Sequence, residues 1–316
     1  MESGGTRRSE RLKQGLDSFS YYVHWRYGGQ TIDQLLDRVA NLGLSALQIN
    51  INGPRHRALT GTTTEHFCRV GERAKEMGIT LEVASGGTDP SKMLLVLEMA
   101  RQLGAEVVRT TVNERGSETV LEKAARNLRQ VAAPYEASGI ALAVENHEDL
   151  TAEEVVDLIE RVDSPAMGAV YDSGNSIPFY KDPVEEARLL APYVRTTHIK
   201  DHLLVWDGDT VWSVGTRLGR GRIPLAEIVE TLVDAPHLTR LMTQVCYGYA
   251  VRMPDRPGGI PSSPLYEPVE RPDDPLDVWV PTGDGHHGYL EADEGHLAAA
   301  AGHVETSVGR MRHLLA

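Results

Sequence analysis

Residues 140–177 read IALAVENHEDLTAEEVVDLIERVDSPAMGAVYDSGNSI. An apolar run (140–145) closes on Glu145, a polar stretch follows, and Thr151 opens a segment of helical period that ends before a second apolar run (167–172) closes on Asp172. Short apolar runs rich in β-branched residues predict strands, and the amphipathic segment between them predicts a helix capped by Thr151. The stretch is one strand–helix–strand unit of the parallel kind.

The same alternation runs outward in both directions. Strands are predicted at 15–20, 45–51, 79–84, 106–112, 140–145, 167–172, 194–199 and 239–246, with helices at 31–42, 64–77, 90–103, 117–138, 151–161, 183–191, 225–234 and 294–315. Thr31, Asp89, Ser117, Thr151 and Asp182 stand where N-caps belong, and Gly43, Gly78, Gly104 and Gly139 stand where helices stop. Eight such units predict an α/β fold, a (β/α)8 TIM barrel. The alternative, a doubly wound open sheet, would carry a glycine-rich phosphate turn after its first strand, and none is present.

Residues 1–14 read as a polar tail and 15–316 as a single barrel domain. Eight prolines between 250 and 293 break the pattern, from Pro254 to Pro281, so this long Pro/Gly-rich insertion between the eighth strand and the last helix is expected to hold no regular element. A connection of that length is either a lid or partner surface, through which a homo-oligomer or partner subunit would attach, or disordered.

Among 316 residues, 45 Asp and Glu against 32 Lys and Arg give a net charge of −13. That balance repels phosphate backbones and anionic lipid, so neither nucleic acid nor a membrane is an expected partner. Cys68 and Cys246 are too few for a disulfide scaffold, and no targeting or membrane-spanning run is present, which predicts a cytoplasmic protein.

In a parallel barrel the C-terminal strand ends converge on one mouth. Glu145, Asp172, His198 and Gln244 fall at successive ends of the fifth to eighth strands. Two carboxylates, an imidazole and an amide oxygen suit one divalent ion, Mn2+ first, with Mg2+, Co2+ or Zn2+ as alternatives. His147 shares a strand face with Glu145 and is the candidate base, while Lys200 shares one with His198 and is a candidate for stabilising an enolate. Asn146, Asp201 and His202 read as loop hydrogen bonding. Tyr22 and His24, in a cluster with Tyr21 and Trp25, and Trp206 with Trp212 offer faces for substrate binding; Arg217, with Arg220 and Arg222, offers an anion grip. His286 and His287 resemble a metal pair, but adjacent residues of an extended segment diverge, so they are expected to face solvent.

Taken together, Glu145–His147 (ENH), Asp172–Asn175 (DSGN), His198–Asp201 (HIKD) and the Leu-Gly-x-Gly stretch at Leu218–Gly221 resemble the sugar phosphate isomerase/epimerase family, the xylose-isomerase-like barrels. The resemblance covers about residues 15–246. It implies Glu145, Asp172 and His198 as metal ligands, with a glutamate expected where Gln244 stands. In the family's keto-sugar 3-epimerases the two glutamates exchange protons with opposite faces of one carbon, and an amide accepts no proton at neutral pH.

The sequence therefore predicts a metal-dependent isomerase/epimerase-type enzyme of carbohydrate metabolism. Its substrate would be a small sugar, keto-sugar or cyclitol-like molecule, deprotonated beside a metal-polarised carbonyl. The close alternative is a lyase of the same superfamily, a dehydratase or C-glycoside-cleaving enzyme, toward which Gln244 and the 250–293 segment tilt the reading. A nuclease related to endonuclease IV fits poorly with the charge and the few histidines at strand ends. A non-catalytic sugar-binding barrel is the remaining alternative.

Overall fold

The computed structural model describes residues 12–52, 57–282 and 285–316. Eight parallel strands form its core: β1 (Lys13–Asp17), β2 (Ala46–Asn50), β3 (Thr80–Ala84), β4 (Val107–Thr110), β5 (Ala141–Glu145), β6 (Met167–Asp172), β7 (Val194–His198) and β10 (Arg240–Thr243). The order β10-β1-β2-β3-β4-β5-β6-β7 curls into a barrel, and a parallel bridge between Ile199 and Thr243 closes it. Ile199 N–H donates to Met242 O at 2.8 Å, and Gln244 N–H donates to Ile199 O at 3.0 Å. This is the TIM barrel expected from the sequence, and closure excludes the open sheet.

The helices are α1 (Tyr22–Tyr27), α2 (Ile32–Asn41), α3 (Thr64–Glu76), α4 (Pro90–Leu103), α5 (Glu118–Ser138), α6 (Ala152–Val162), α7 (Pro183–Leu190), α8 (Leu225–Leu232) and α9 (Glu294–Leu315). Their starts are chemically fixed. The Thr31 and Thr151 side chains accept from Gln34 N and Glu154 N, and each is answered by a capping-box side chain. Asp89, Ser117 and Asp182 also accept from backbone N–H groups of the first turn. Gly104 and Gly139 end α4 and α5 at φ 66° and 70°, a conformation that costs other residues a Cβ clash.

Leu16, Leu47, Val83, Val108, Leu142 and Leu241 are buried strand residues, and Leu36, Val70, Leu128 and Leu158 reach the same core from the helices. Burying each such side chain contributes roughly 1.5–3 kcal/mol.

Three expectations need correction. The first strand starts earlier and ends sooner than 15–20: Lys13 and Gln14 pair with Arg240 and Leu241, Leu12 is buried, and residues 18–21 turn into a 3-10 helix because Asp17 accepts from Phe19 N–H at 2.8 Å. Of the proposed tail, residues 1–11 lie outside the described residues.

Second, residues 201–216 form a hairpin, β8 (Asp201–Asp207) and β9 (Thr210–Thr216), turned at Gly208 with φ 60°. Third, the 250–293 segment does hold regular structure. β11 (Tyr249–Arg252) and β12 (His287–Tyr289) extend the hairpin into a second antiparallel sheet, and a 3-10 turn spans Pro264–Tyr266. Leu203, Val205, Trp212, Val214, Ala250, Val278 and Val280 form its own core, so the prolines shape the covering segment without preventing it from packing. This sheet flanks the barrel mouth.

Candidate active site

A cavity of about 480 Å³ opens at the C-terminal ends of the strands. Asp17, Asn50, Arg109, Glu145, His198 and Gln244 come to it from barrel strands or their ends. His147, Glu148 and Asp149 reach it from the loop after β5, and Tyr249, His287 and Tyr289 from the second sheet.

At its floor, His198 Nδ1 lies 3.0 Å from Glu145 Oε1 and 3.4 Å from Asp172 Oδ2, all three groups being buried. Asp172 is aimed by backbone: its Oδ1 accepts from Gly174 N–H (2.8 Å) and Asn175 N–H (3.1 Å). Asn146 braces the same residue, its Nδ2 donating to Asp172 O and its Oδ1 accepting from Asp172 N–H. His198 Nε2 faces Gln48 Oε1 at 2.7 Å, and Gln48 Nε2 donates to Glu82 Oε2 at 2.9 Å. That chain keeps a proton on Nε2, so Nδ1 is the ring atom that faces the two carboxylates. Burial opposes charge on His198, yet Glu145 and Asp172 outweigh it and push the imidazole up to about 9.

These donors fit a divalent ion. Separations of 3.0 and 3.4 Å match the edge of an octahedron built on metal–oxygen bonds of about 2.1 Å. Asp17 Oδ2, also buried, has no hydrogen-bond partner among the described residues and stands 3.9 Å from His198 Nε2. Gln244 is differently engaged: its Nε2 donates to Asp17 Oδ1 at 2.7 Å, and the Cys246 thiol, pushed up to about 12 by burial, donates to its Oε1.

Two fixed cations share the floor. Arg109 makes a close two-pronged contact with Glu145 Oε2 through Nε and Nη2, and its Nη1 donates to Ser85 O at 2.7 Å. Burial would raise the Glu145 carboxyl, but Arg109 and then His198 hold it well below the usual range. Lys200 Nζ lies 2.7 Å from Asp172 Oδ2 and 3.2 Å from Asn175 Oδ1; burial works against its charge and Asp172 more than offsets this. His147 lines the cavity, its Nδ1 3.6 Å from Asp149 Oδ1 and its side chain 35% exposed. Burial lowers its basicity, while Asp149 and the nearby glutamates raise it to a net gain.

The four substrate-binding assignments made from sequence fall elsewhere. Tyr22 is buried with its hydroxyl on Gly248 O at 2.5 Å, stacked on Phe19, which is the ring that reaches the cavity. His24 points toward α9 and is held near 4 by burial and then Arg38. Trp206 is 37% exposed on the hairpin, and its companion Trp212 is in the second core. Arg217 is paired, with Arg220, to Asp277. Neighbours in sequence at these positions do not converge on the mouth.

Sequence reasoning missed Arg109, Gln48 and Glu82. Each is a polar residue inside an apolar strand, VVRT, ALQIN and TLEVA, and that interruption was the available signal. His286 and His287, expected in solvent, both line the cavity mouth. Asp201 explains the Leu-Gly-x-Gly stretch: its carboxylate accepts from the backbone N–H groups of Gly219 (2.8 Å), Gly221 (3.0 Å) and Ile223 (3.1 Å). A Cβ on Gly221 would collide with that carboxylate.

Residues 13–238 match the family model of the xylose isomerase-like TIM barrels. The chain belongs to this family. A curated relative, 3-oxo-isoapionate decarboxylase of Pectobacterium atrosepticum, is 27% identical over 227 residues, which are 69% of this chain and 80% of the relative. D-psicose 3-epimerase from Clostridium cellulolyticum H10 superposes with a TM-score of 0.64 over 96% of this chain and 99% of that one, at 19% identity. A xylose isomerase-like TIM barrel protein from Mycobacterium smegmatis in complex with magnesium gives a TM-score of 0.60 over 100% of both chains at 16% identity. A curated relative is thus a decarboxylase, and a sugar epimerase shares the fold. Among the described residues, no helix is long and apolar enough to cross a membrane.

Proposed function

We propose that this barrel is a lyase-type member of its family, cleaving a bond beside the carbonyl of a small polyhydroxylated keto acid. Decarboxylation of a 3-oxo acid is the preferred reaction. The Arg109–Glu145 pair carries the reading. Epimerisation needs an acid–base group on each face of the reacting carbon. Here the carboxylate of β5 is neutralised by a buried guanidinium, and the position expected for its counterpart is Gln244. Loss of a carboxylate needs no base: the carboxylate leaves as CO2, its bonding pair passes into an enolate, and one proton returns to carbon.

Glu145, Asp172 and His198 would hold a divalent ion, with the identity Mn2+ first, and Gln244 as a further ligand on the sequence reading. Such an ion would polarise the substrate carbonyl. Lys200 supplies a fixed positive charge for the developing enolate oxygen, in a site where burial strengthens that interaction. His147, on the open side, delivers the proton to carbon. Asn50, Asn52 and Asn113 line the wall with amides for hydroxyl groups, Arg115 offers a guanidinium for a carboxylate, and Phe19 and Tyr249 exclude water. The decarboxylase among the relatives supports this choice over the isomerase/epimerase reading.

The test is a panel of polyhydroxylated 3-oxo acids and keto-sugars, followed for CO2 release and for epimer formation. CO2 from an oxo acid supports the proposal; epimerisation of a keto-sugar with no CO2 from any oxo acid overturns it.

A further inference from the structure

We infer that the cavity mouth carries a second divalent-cation site, formed by Glu148, His286 and His287 and suited to an ion of the zinc type. One ligand atom from each of the three residues lies within 4.8 Å of the other two. Two imidazoles and a carboxylate favour Zn2+ over Mg2+, which prefers all-oxygen shells and keeps its waters.

The site is built by the second sheet. β11 and β12 pair Tyr249 with Tyr289 and Val251 with His287, and Arg252 N–H donates to His286 O at 2.9 Å. Tyr249 donates its hydroxyl to Glu148 Oε1 at 2.6 Å, which turns the other oxygen, Oε2, to within 2.6 Å of His287 Nε2. The Tyr249 ring also stacks along His287, 6.0 Å away at 21°. His286 precedes β12 and is not bound by strand alternation, so its ring lies beside that of His287, 4.5 Å away at 77°. Both imidazoles therefore reach the same mouth that the sequence pattern assigned to solvent.

A Glu148–His287 hydrogen bond by itself would be a latch for β12. His286 distinguishes the two cases, because it is exposed and plays no part in that bond, yet it stands at the third ligand position. All three residues line the cavity, so an ion held there would keep its open coordination positions toward the interior. A chain of net charge −13 draws cations to such a mouth.

The inference is independent of the reaction proposed above. The full-length protein is stripped with chelator, loaded with Zn2+, dialysed, and its zinc measured per chain, with far-UV circular dichroism to confirm folding. The wild type is expected to hold two ions, and His286→Ala and Glu148→Gln one fewer each, while Glu145→Ala loses the floor ion and keeps the mouth ion. Equal zinc in wild type and both mouth variants overturns the mouth site. Unchanged zinc in Glu145→Ala alone would instead sink the floor site and leave the mouth site standing.

Discussion

Lys200 Nζ and Asp172 Oδ2 stand 2.7 Å apart at the cavity floor, both buried, and the carboxylate that would bind a metal is thus already in contact with a protein cation. The ammonium is a fixed positive charge at the cavity floor. Lys200→Met is expected to lower turnover by about 10²- to 10³-fold, the cost of removing a preorganised electrostatic stabiliser. Metal content should hold or rise, because Asp172 loses a competing cation. Steady-state kinetics and elemental analysis of the same preparation check both; unchanged turnover removes Lys200 from the mechanism.

Arg109 and Glu145 form the second buried pair, and breaking one partner leaves the other charge without compensation. Arg109→Gln is expected to cost about 3–5 kcal/mol of stability in the metal-free protein. Divalent metal should recover part of that loss, since the freed carboxylate would be available as a ligand. Urea unfolding with and without Mn2+ reads this directly, and equal midpoints for variant and wild type would contradict the pairing.

His147 lines the cavity, and its Nδ1 faces Asp149 Oδ1 at 3.6 Å. His147→Ala should keep metal content and folding while lowering turnover by about 10²-fold or more, the usual contribution of a positioned acid or base. For a decarboxylase, CO2 formation and product protonation separate here: an enolate that escapes unprotonated will pick up solvent deuterium on both faces. Stereospecific labelling retained in the variant would show that another group delivers the proton.

These residues were unequally legible. Thr31, Asp89, Ser117, Thr151 and Asp182 announce helix starts because a cap is a local event, decided within four residues of chain. Glu145, Asp172 and His198 were readable because barrel topology converts three sequence positions into one mouth. Arg109 was not, since it lies inside the apolar run VVRTTV and its partner is 36 residues away, across the β4–β5 ladder. The β8–β9 hairpin carries a local signal: Asp207-Gly208 between alternating apolar residues favours a tight turn, and Gly208 adopts the positive φ that such turns require. The second sheet depends on β12 returning from residue 287 to meet β11, a pairing that no local pattern specifies.

Gln244 tests the relation between the floor and its relatives. Its amide donates to Asp17 Oδ1 at 2.7 Å, so Gln244→Glu sets one carboxylate against another in a buried site. One of the two must then take a proton or a cation. The metal-free variant should be less stable by about 1–3 kcal/mol, the cost of a lost buried hydrogen bond to a charged group, and divalent metal should restore it. Melting temperatures with and without Mn2+ report this, and solvent-deuterium exchange into keto-sugars reports whether the added carboxylate brings proton transfer. Loss of metal binding on this change would contradict the ligand set.

The mouth contributes to the acid dependence of stability. Burial works against the charge on Glu148, but the His287 hydrogen bond, then His147 and the Tyr249 hydroxyl, pull its carboxyl down to about 2. A carboxylate depressed in the folded state stabilises that state fully above its unfolded value, near 4.5, and loses the contribution as pH falls toward 2. The shift corresponds to stabilisation on the order of 3 kcal/mol at neutral pH. The melting temperature of metal-free wild type should therefore be steady from about pH 7 to 5 and fall steeply below 4.5, whereas Glu148→Gln should start lower and fall less over the same interval. Parallel curves for the two proteins would show that a different carboxylate governs the acid limb.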